Sequence, residues 1–168
     1  MALALAAFHV AILVIAAAVF IAAAVNDACV YRIPNYMCGL LLALFPLFVA
    51  TAPHGIDWHQ HGMIFGLVGL SGFAMFLANL AGAGDIKLLS VASLWAGPHL
   101  IAVLLIVTAI AGGIVSLVMA LLTLRRQRAA GEETHLNKIP IPYGIAIATG
   151  GLTMLAMMAQ PILFPGQE

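Results

Sequence analysis

Apolar residues run along this chain in long blocks, broken by short clusters of Gly, Pro, Asp, His, Lys and Arg. Six blocks stand out: about Leu3 to Val25, Pro34 to Ala52, Gly62 to Ala81, Asp85 to Ala96, Leu100 to Leu124 and Pro140 to Pro161. A helix needs ~20 apolar residues to cross a ~30 Å hydrocarbon core. The fourth block is shorter, so it is expected to be tilted, re-entrant or sheltered by its neighbours. The blocks are too long and too evenly apolar for the alternating strands of an outer-membrane barrel. The pattern predicts an all-α polytopic membrane protein, a bundle of about six transmembrane helices forming a single domain over 1–168. No repeat and no soluble domain stands out. The first block resembles a signal peptide only superficially. It lacks a basic leading region and its apolar run is too long, so it is expected to be a permanent helix.

Composition agrees: 64% of residues are hydrophobic and 7% charged, where a soluble domain carries about 25% charged residues. The formal net charge is zero, which leaves no basic face for nucleic acid. Cys29 and Cys38 form no CxxC pair and offer neither a disulfide framework nor a four-ligand zinc site. Both are expected to be small apolar fillers. Nothing in the sequence calls for a metal or an organic cofactor.

The charges are sorted along the chain. The six basic residues are Arg32, Lys87, Arg125, Arg126, Arg128 and Lys138. With six crossings they all fall in links on one side, and the opposite links carry none. Positive charge marks the cytoplasmic face, so both termini are expected on the other side. Removing the short fourth block would place the basic cluster of the last link opposite Arg32. Pro34, Pro140 and Pro142 suit the first turn of a helix, where a missing N–H costs nothing. Gly62, Gly66, Gly69 and Gly72 fall at spacings of three and four, a face suited to close helix packing.

Three aspartates are available for chemistry: Asp27, Asp57 and Asp85. Asp57, in an outer link, is expected to be solvated. Asp27 ends the first block, where it meets the unfavourable end of the helix dipole; an interfacial contact with water or Arg32 would account for it. Asp85 follows Gly82-Ala83-Gly84 and could serve simply as an N-cap of the fourth block. The charge sorting nevertheless brings both acids to one membrane level from distant parts of the chain. Neighbouring carboxylates cannot both ionise cheaply. One protonated and one ionised carboxylate is the equipment for activating water against a peptide bond. Acids at membrane depth are functional candidates by default.

Three stretches resemble the type IV prepilin peptidases, the GxGD aspartyl protease family. DACVYRIPN (27–35) resembles their Asp…Arg-Ile-Pro-Asn element, GAGDIK (82–87) their GxGD-x-K signature, and IPYGIAIATGG (141–151) their last helix. The three occur in family order. The resemblance implies Asp27 and Asp85 as the catalytic pair, with Gly82 and Gly84 shaping the turn that carries Asp85. It gives Lys87 an orienting or anchoring role and sets Pro142, Tyr143 and Gly144 along the substrate path. It implies prepilin or pseudopilin substrates with a basic leader, a small residue at the cut and a following apolar helix. Cleavage would occur at the cytoplasmic face of the bacterial inner membrane. The longer family members carry a zinc-binding insertion between the first two helices and also methylate the product. Here that link is short, which resembles the small enzymes serving tight-adherence (Flp-type) pili.

Two other readings use the same residues: a proton-coupled transporter with Asp27 and Asp85 as a relay, and a non-catalytic pilus or secretion assembly subunit. The remaining polar residues are read as structural. His54, His59 and His61 are expected in a polar outer loop with Asp57. His9 and His99 are expected to find partners near outer helix ends, and His135 to be solvated beside Glu132 and Glu133.

Overall fold

A computed structural model describes residues 2–52, 55–130 and 140–163, and among these every regular element is a helix. The helices are α1 (Ala2–Val30), α2 (Asn35–Thr51), α3 (Trp58–Leu77), α4 (Ala83–Ala130) and α5 (Tyr143–Leu163). Four of the five are long and apolar enough to cross a membrane; α2, with 17 residues, is shorter. His54, His135, Glu132, Glu133 and Lys138 lie outside the described residues.

The fourth and fifth blocks form one element, α4, broken at Gly97. Gly97 has φ 56° and ψ −167°, a region open to glycine almost alone. Pro98 follows and has no N–H for the Leu94 carbonyl one turn back. His61 fills that gap: its Nδ1 lies 2.7 Å from the Leu94 oxygen. A carbonyl only accepts, so Nδ1 carries the proton. Counting the two arms of α4 separately gives six rods.

Contacts fix how the rods run. His9 near the start of α1 meets Thr51 at the end of α2 (Nδ1 to Oγ1, 2.9 Å), so these helices are antiparallel. On α3, Gly69 faces Ser90 and Gly72 faces Ile86, which sets α3 antiparallel to the first arm of α4. The Trp95 indole donates to the Leu41 carbonyl at 3.1 Å and Lys87 reaches Asn35, so that arm runs parallel to α2. Helix α5 lies antiparallel to α1, with Gly151 against Phe20 and Gly144 against Asp27. Buried Phe45, Phe48, Trp95, His9 and His61 make an aromatic cluster at the end of the bundle that holds the Gly97 break. From His9 to Asp27 is 18 residues of helix, about 27 Å, close to the thickness of a hydrocarbon core.

Several expectations change in detail. Helix α1 continues five residues past Val25, so Asp27 sits within its last turn. Pro34 is the N-cap of α2 and not its first helical residue, and Pro142 directly precedes α5. The third block ends early: Asn79, at φ 57°, stops α3. The Leu80 N–H reaches Met75 and the Asn79 N–H reaches Phe76, both at 2.9 Å, the paired bonds of a Schellman end. Asp57 is not simply solvated; it caps α3 by accepting the His59 N–H at 3.1 Å. His61 is not in a polar loop but buried in the first turn of α3. Cys38 is buried as expected, whereas Cys29 is exposed. Only half of the glycine stripe packs: a Cβ on Gly62 or Gly66 would meet nothing within 4 Å.

Candidate active site

Asp27 places its carboxyl near the negative end of the α1 dipole, where a negative charge is disfavoured. A different helix offsets that cost. Asp27 Oδ2 accepts the backbone N–H of Gly144 at 2.7 Å, across 117 positions of sequence. Gly144 is the second residue of α5, so its N–H is one of the donors that a helix leaves unpaired. Asp27 thus caps α5 from outside and sits at the positive end of its dipole, with only 5% of its surface exposed. Glycine is required opposite it. A Cβ at Gly144 would lie 2.8 Å from both Cβ and Oδ2 of Asp27.

Asp85 is the third residue of α4, and its carboxylate accepts the N–H of Gly82. This is the reach-back half of a capping box, an acid at the third helical position bonded to the N-cap N–H. The Gly82 carbonyl in turn accepts from the Ile86 N–H at 3.2 Å. The expected cap is present, but Asp85 serves it from inside the helix and not from the N-cap position. A Cβ on Gly82 would lie 2.8 Å from Asp85 Oδ2, and one on Gly84 would lie 3.3 Å from the Ile33 Cβ. Neither glycine has a positive φ. Asn79 makes the turn, and the two glycines supply clearance.

Both carboxylates line one cavity of about 470 Å³, together with Tyr31, Arg32, Asn35 and Lys87. They are near enough for the charge of Asp27 to act on Asp85. Lys87 Nζ donates to Asn35 Oδ1 at 3.0 Å, which ties the start of α4 to the start of α2. Pro140 and Ile141 close one side of the cavity. Of the last-helix motif, Gly144 reaches the site through its bond to Asp27. Pro142 is buried ahead of α5, and Tyr143 turns toward α4, its hydroxyl 3.5 Å from Ser116 Oγ.

Sequence reasoning did not single out Asn35 or Tyr31. Asn35 carried a signal, as the last residue of the Arg-Ile-Pro-Asn stretch. Tyr31 carried none. It ends α1 with φ 53°, a conformation that disfavours a bulky side chain. The Asn26 amide helps hold the link by donating to the Arg32 carbonyl.

The electrostatics follow from where helices begin. Helices α2, α4 and α5 all start at this cavity. The positive ends of three dipoles therefore face one pocket, an arrangement that stabilises negative charge. Carboxylates sharing such a pocket titrate as a pair. A pair holding one proton can take a proton from water and give one to a leaving group. Among the described residues no group of three or more His, Cys, Asp and Glu is placed to hold a metal ion.

Helices of spanning length around a buried Asp27 and a half-buried Asp85 define the class: a helical membrane protein with an acidic site at one end of its bundle. The chain matches the model of the type IV leader peptidase family over residues 11–117, and it belongs to that family. The matched stretch contains Asp27 and Asp85 and stops in the second arm of α4, before α5. No curated protein and no solved structure matches the chain. The family makes it a membrane peptidase of the leader-peptidase kind.

Proposed function

We propose that the protein is an intramembrane aspartyl endopeptidase that removes the basic leader of type IV prepilin-like or pseudopilin substrates at the cytoplasmic membrane face. The observation that carries this reading is the shared cavity holding Asp27 and Asp85. One carboxylate takes a proton from water, and the oxygen attacks the scissile carbonyl. The other donates its proton to the departing amine. The Gly144 N–H orients Asp27, while Gly82 and Gly84 leave room for Asp85 and its neighbours. Lys87, held by Asn35, fixes the relative position of α2 and α4. Pro142 and Tyr143 set the entry of α5 beside the cleft. The link between α1 and α2 is residues 31–34, too short for a methyl-transfer insertion. The activity is therefore peptide cleavage alone, as in the short Flp-type enzymes, carried by one transmembrane domain in the bacterial inner membrane.

Asp27→Asn and Asp85→Asn test it directly. Each keeps the side-chain shape and removes the ionisable oxygen. Each is expected to lower the rate of leader cleavage by about 10²–10⁴-fold in proteoliposomes. Wild-type activity should fall on both the acid and the alkaline side, because the reaction needs one proton on the pair. Cleavage that survives both substitutions would remove the catalytic assignment, and loss of proton-coupled transport in its place would favour a relay.

A further inference from the structure

A second, larger space adjoins the site. It is an apolar groove of about 660 Å³ between α2, α3 and the first arm of α4. Its walls are Leu42, Phe65, Phe73 and Phe76, and Gly39 and Gly69 leave its surface low. At one end it shares Asn35, Ala83 and Lys87 with the cavity that holds the two aspartates. We propose that this groove seats the apolar helix of the substrate, on the C-terminal side of the scissile bond. The inference rests on the peptidase reading above and names where that substrate lies.

Three observations select this occupant. First, continuity: a peptide with its cut at the carboxylates and an apolar segment after it leaves the cavity past Asn35 and Lys87, directly into the groove. Second, length: the groove follows α2 from Asn35 to Leu42 and α4 from Ala83 to Val91, about 10–12 Å along each helix. That is two turns, the part of a substrate helix nearest the cut. Third, no packing contact among the described residues calls for glycine at position 39. A Cβ there would meet nothing within 4 Å, although glycine inside a helix costs roughly 1 kcal/mol relative to alanine. A flat spot on an apolar helix face suits close approach by another helix. A disordered acyl chain gains nothing from it. Phe73 and Phe76 stand 56% and 44% exposed beside it, ready to be covered.

Site-specific photo-crosslinking tests the assignment. A photoreactive residue is placed at Leu42 or at Phe73 in an Asp85→Asn background, so that substrate binds without turnover. The control is Ile21, which faces the separate space between α1 and α2. Adducts to the first two turns after the cut are expected from Leu42 and Phe73, with none from Ile21. A companion variant, Gly39→Leu, should raise KM for a helix-bearing substrate by about tenfold or more, with kcat within about twofold. Adducts to lipid alone, equal adducts from Ile21, or an unchanged KM in folded Gly39→Leu would overturn the inference. These outcomes are separable from failure of the peptidase reading. That failure appears as cleavage by Asp27→Asn, whereas the crosslinks report binding without catalysis.

Discussion

Gly144 and Gly82 each lie against a carboxylate, and the difference between them is open to measurement. At Gly144 a methyl group would press on the Cβ of Asp27 as well as on its oxygen, so no side-chain rotation relieves the contact. The N–H bond to the carboxylate then opens. A hydrogen bond to a charged group contributes about 1.5–3 kcal/mol. Gly144→Ala is therefore expected to slow leader cleavage roughly ten- to hundred-fold. At Gly82 the methyl would meet only the end of the Asp85 side chain and its Cγ, at 2.8 and 3.7 Å. That group can swing aside, and Gly82→Ala should cost less than about tenfold. Single-turnover rates on one substrate rank the two, and equal effects would show that Asp27 is not held by this contact. The aspartates themselves were legible in the sequence, because sorted basic residues place both on one face. Gly144 was legible only through its motif. The contact that demands glycine joins residues 117 apart, and no local pattern records such a meeting.

Where helices stop and bend, the gap between the fourth and fifth blocks, residues 97–99, coincides with the break at Gly97, whereas the third block runs past the stop at Asn79. The Gly97-Pro98 dipeptide has two independent reasons to interrupt a helix, a positive φ and a missing N–H. Asn79 is a recognised stop signal, but it was hidden in an apolar stretch that continued to Ala81. The Gly97 break also shows how two elements share one repair. Pro98 leaves the Leu94 carbonyl without a donor, and His61 of α3 supplies one in a site 9% exposed. His61→Phe keeps a ring against Phe45 but strands that carbonyl, and is expected to destabilise the fold by about 1–3 kcal/mol. Gly97→Ala forces a side chain into φ 56° and against the same imidazole, with a further backbone cost of about 1–3 kcal/mol. Thermal unfolding in detergent should show both losses. Because this break lies at the end remote from Asp27, kcat of the fraction that stays folded should be unchanged in His61→Phe. A selective loss of kcat would mean that the break moves during turnover.

For the molecule as a whole, the two ends of the bundle are chemically different, and this asymmetry predicts an orientation in the membrane. One end gathers Asp27, Asp85, Arg32 and Lys87 around the starts of α2, α4 and α5. The other holds His9, His61, Trp95 and the Gly97 break, with no Lys or Arg among its residues. Arg125, Arg126 and Arg128 close the second arm of α4, which runs back toward the acidic site because α5 pairs with it antiparallel. All described Lys and Arg residues therefore belong to one face, and from the bias of Lys and Arg toward the cytoplasm we propose that this face lies inside. The short fourth block, an uncertain crossing by length alone, is needed for this sorting. Its brevity is tolerated because its residues 88 and 90–96 are buried among neighbouring helices. Single cysteines test the orientation in a background where Cys29 and Cys38 are replaced by Ala. A cysteine at the exposed His59 should react with a membrane-impermeant maleimide added to intact spheroplasts. One at the exposed Arg128 should react only after the membrane is opened. The reverse pattern would put the carboxylates outside, against the cytoplasmic cleavage proposed above, and would require a different source of peptide for the same site.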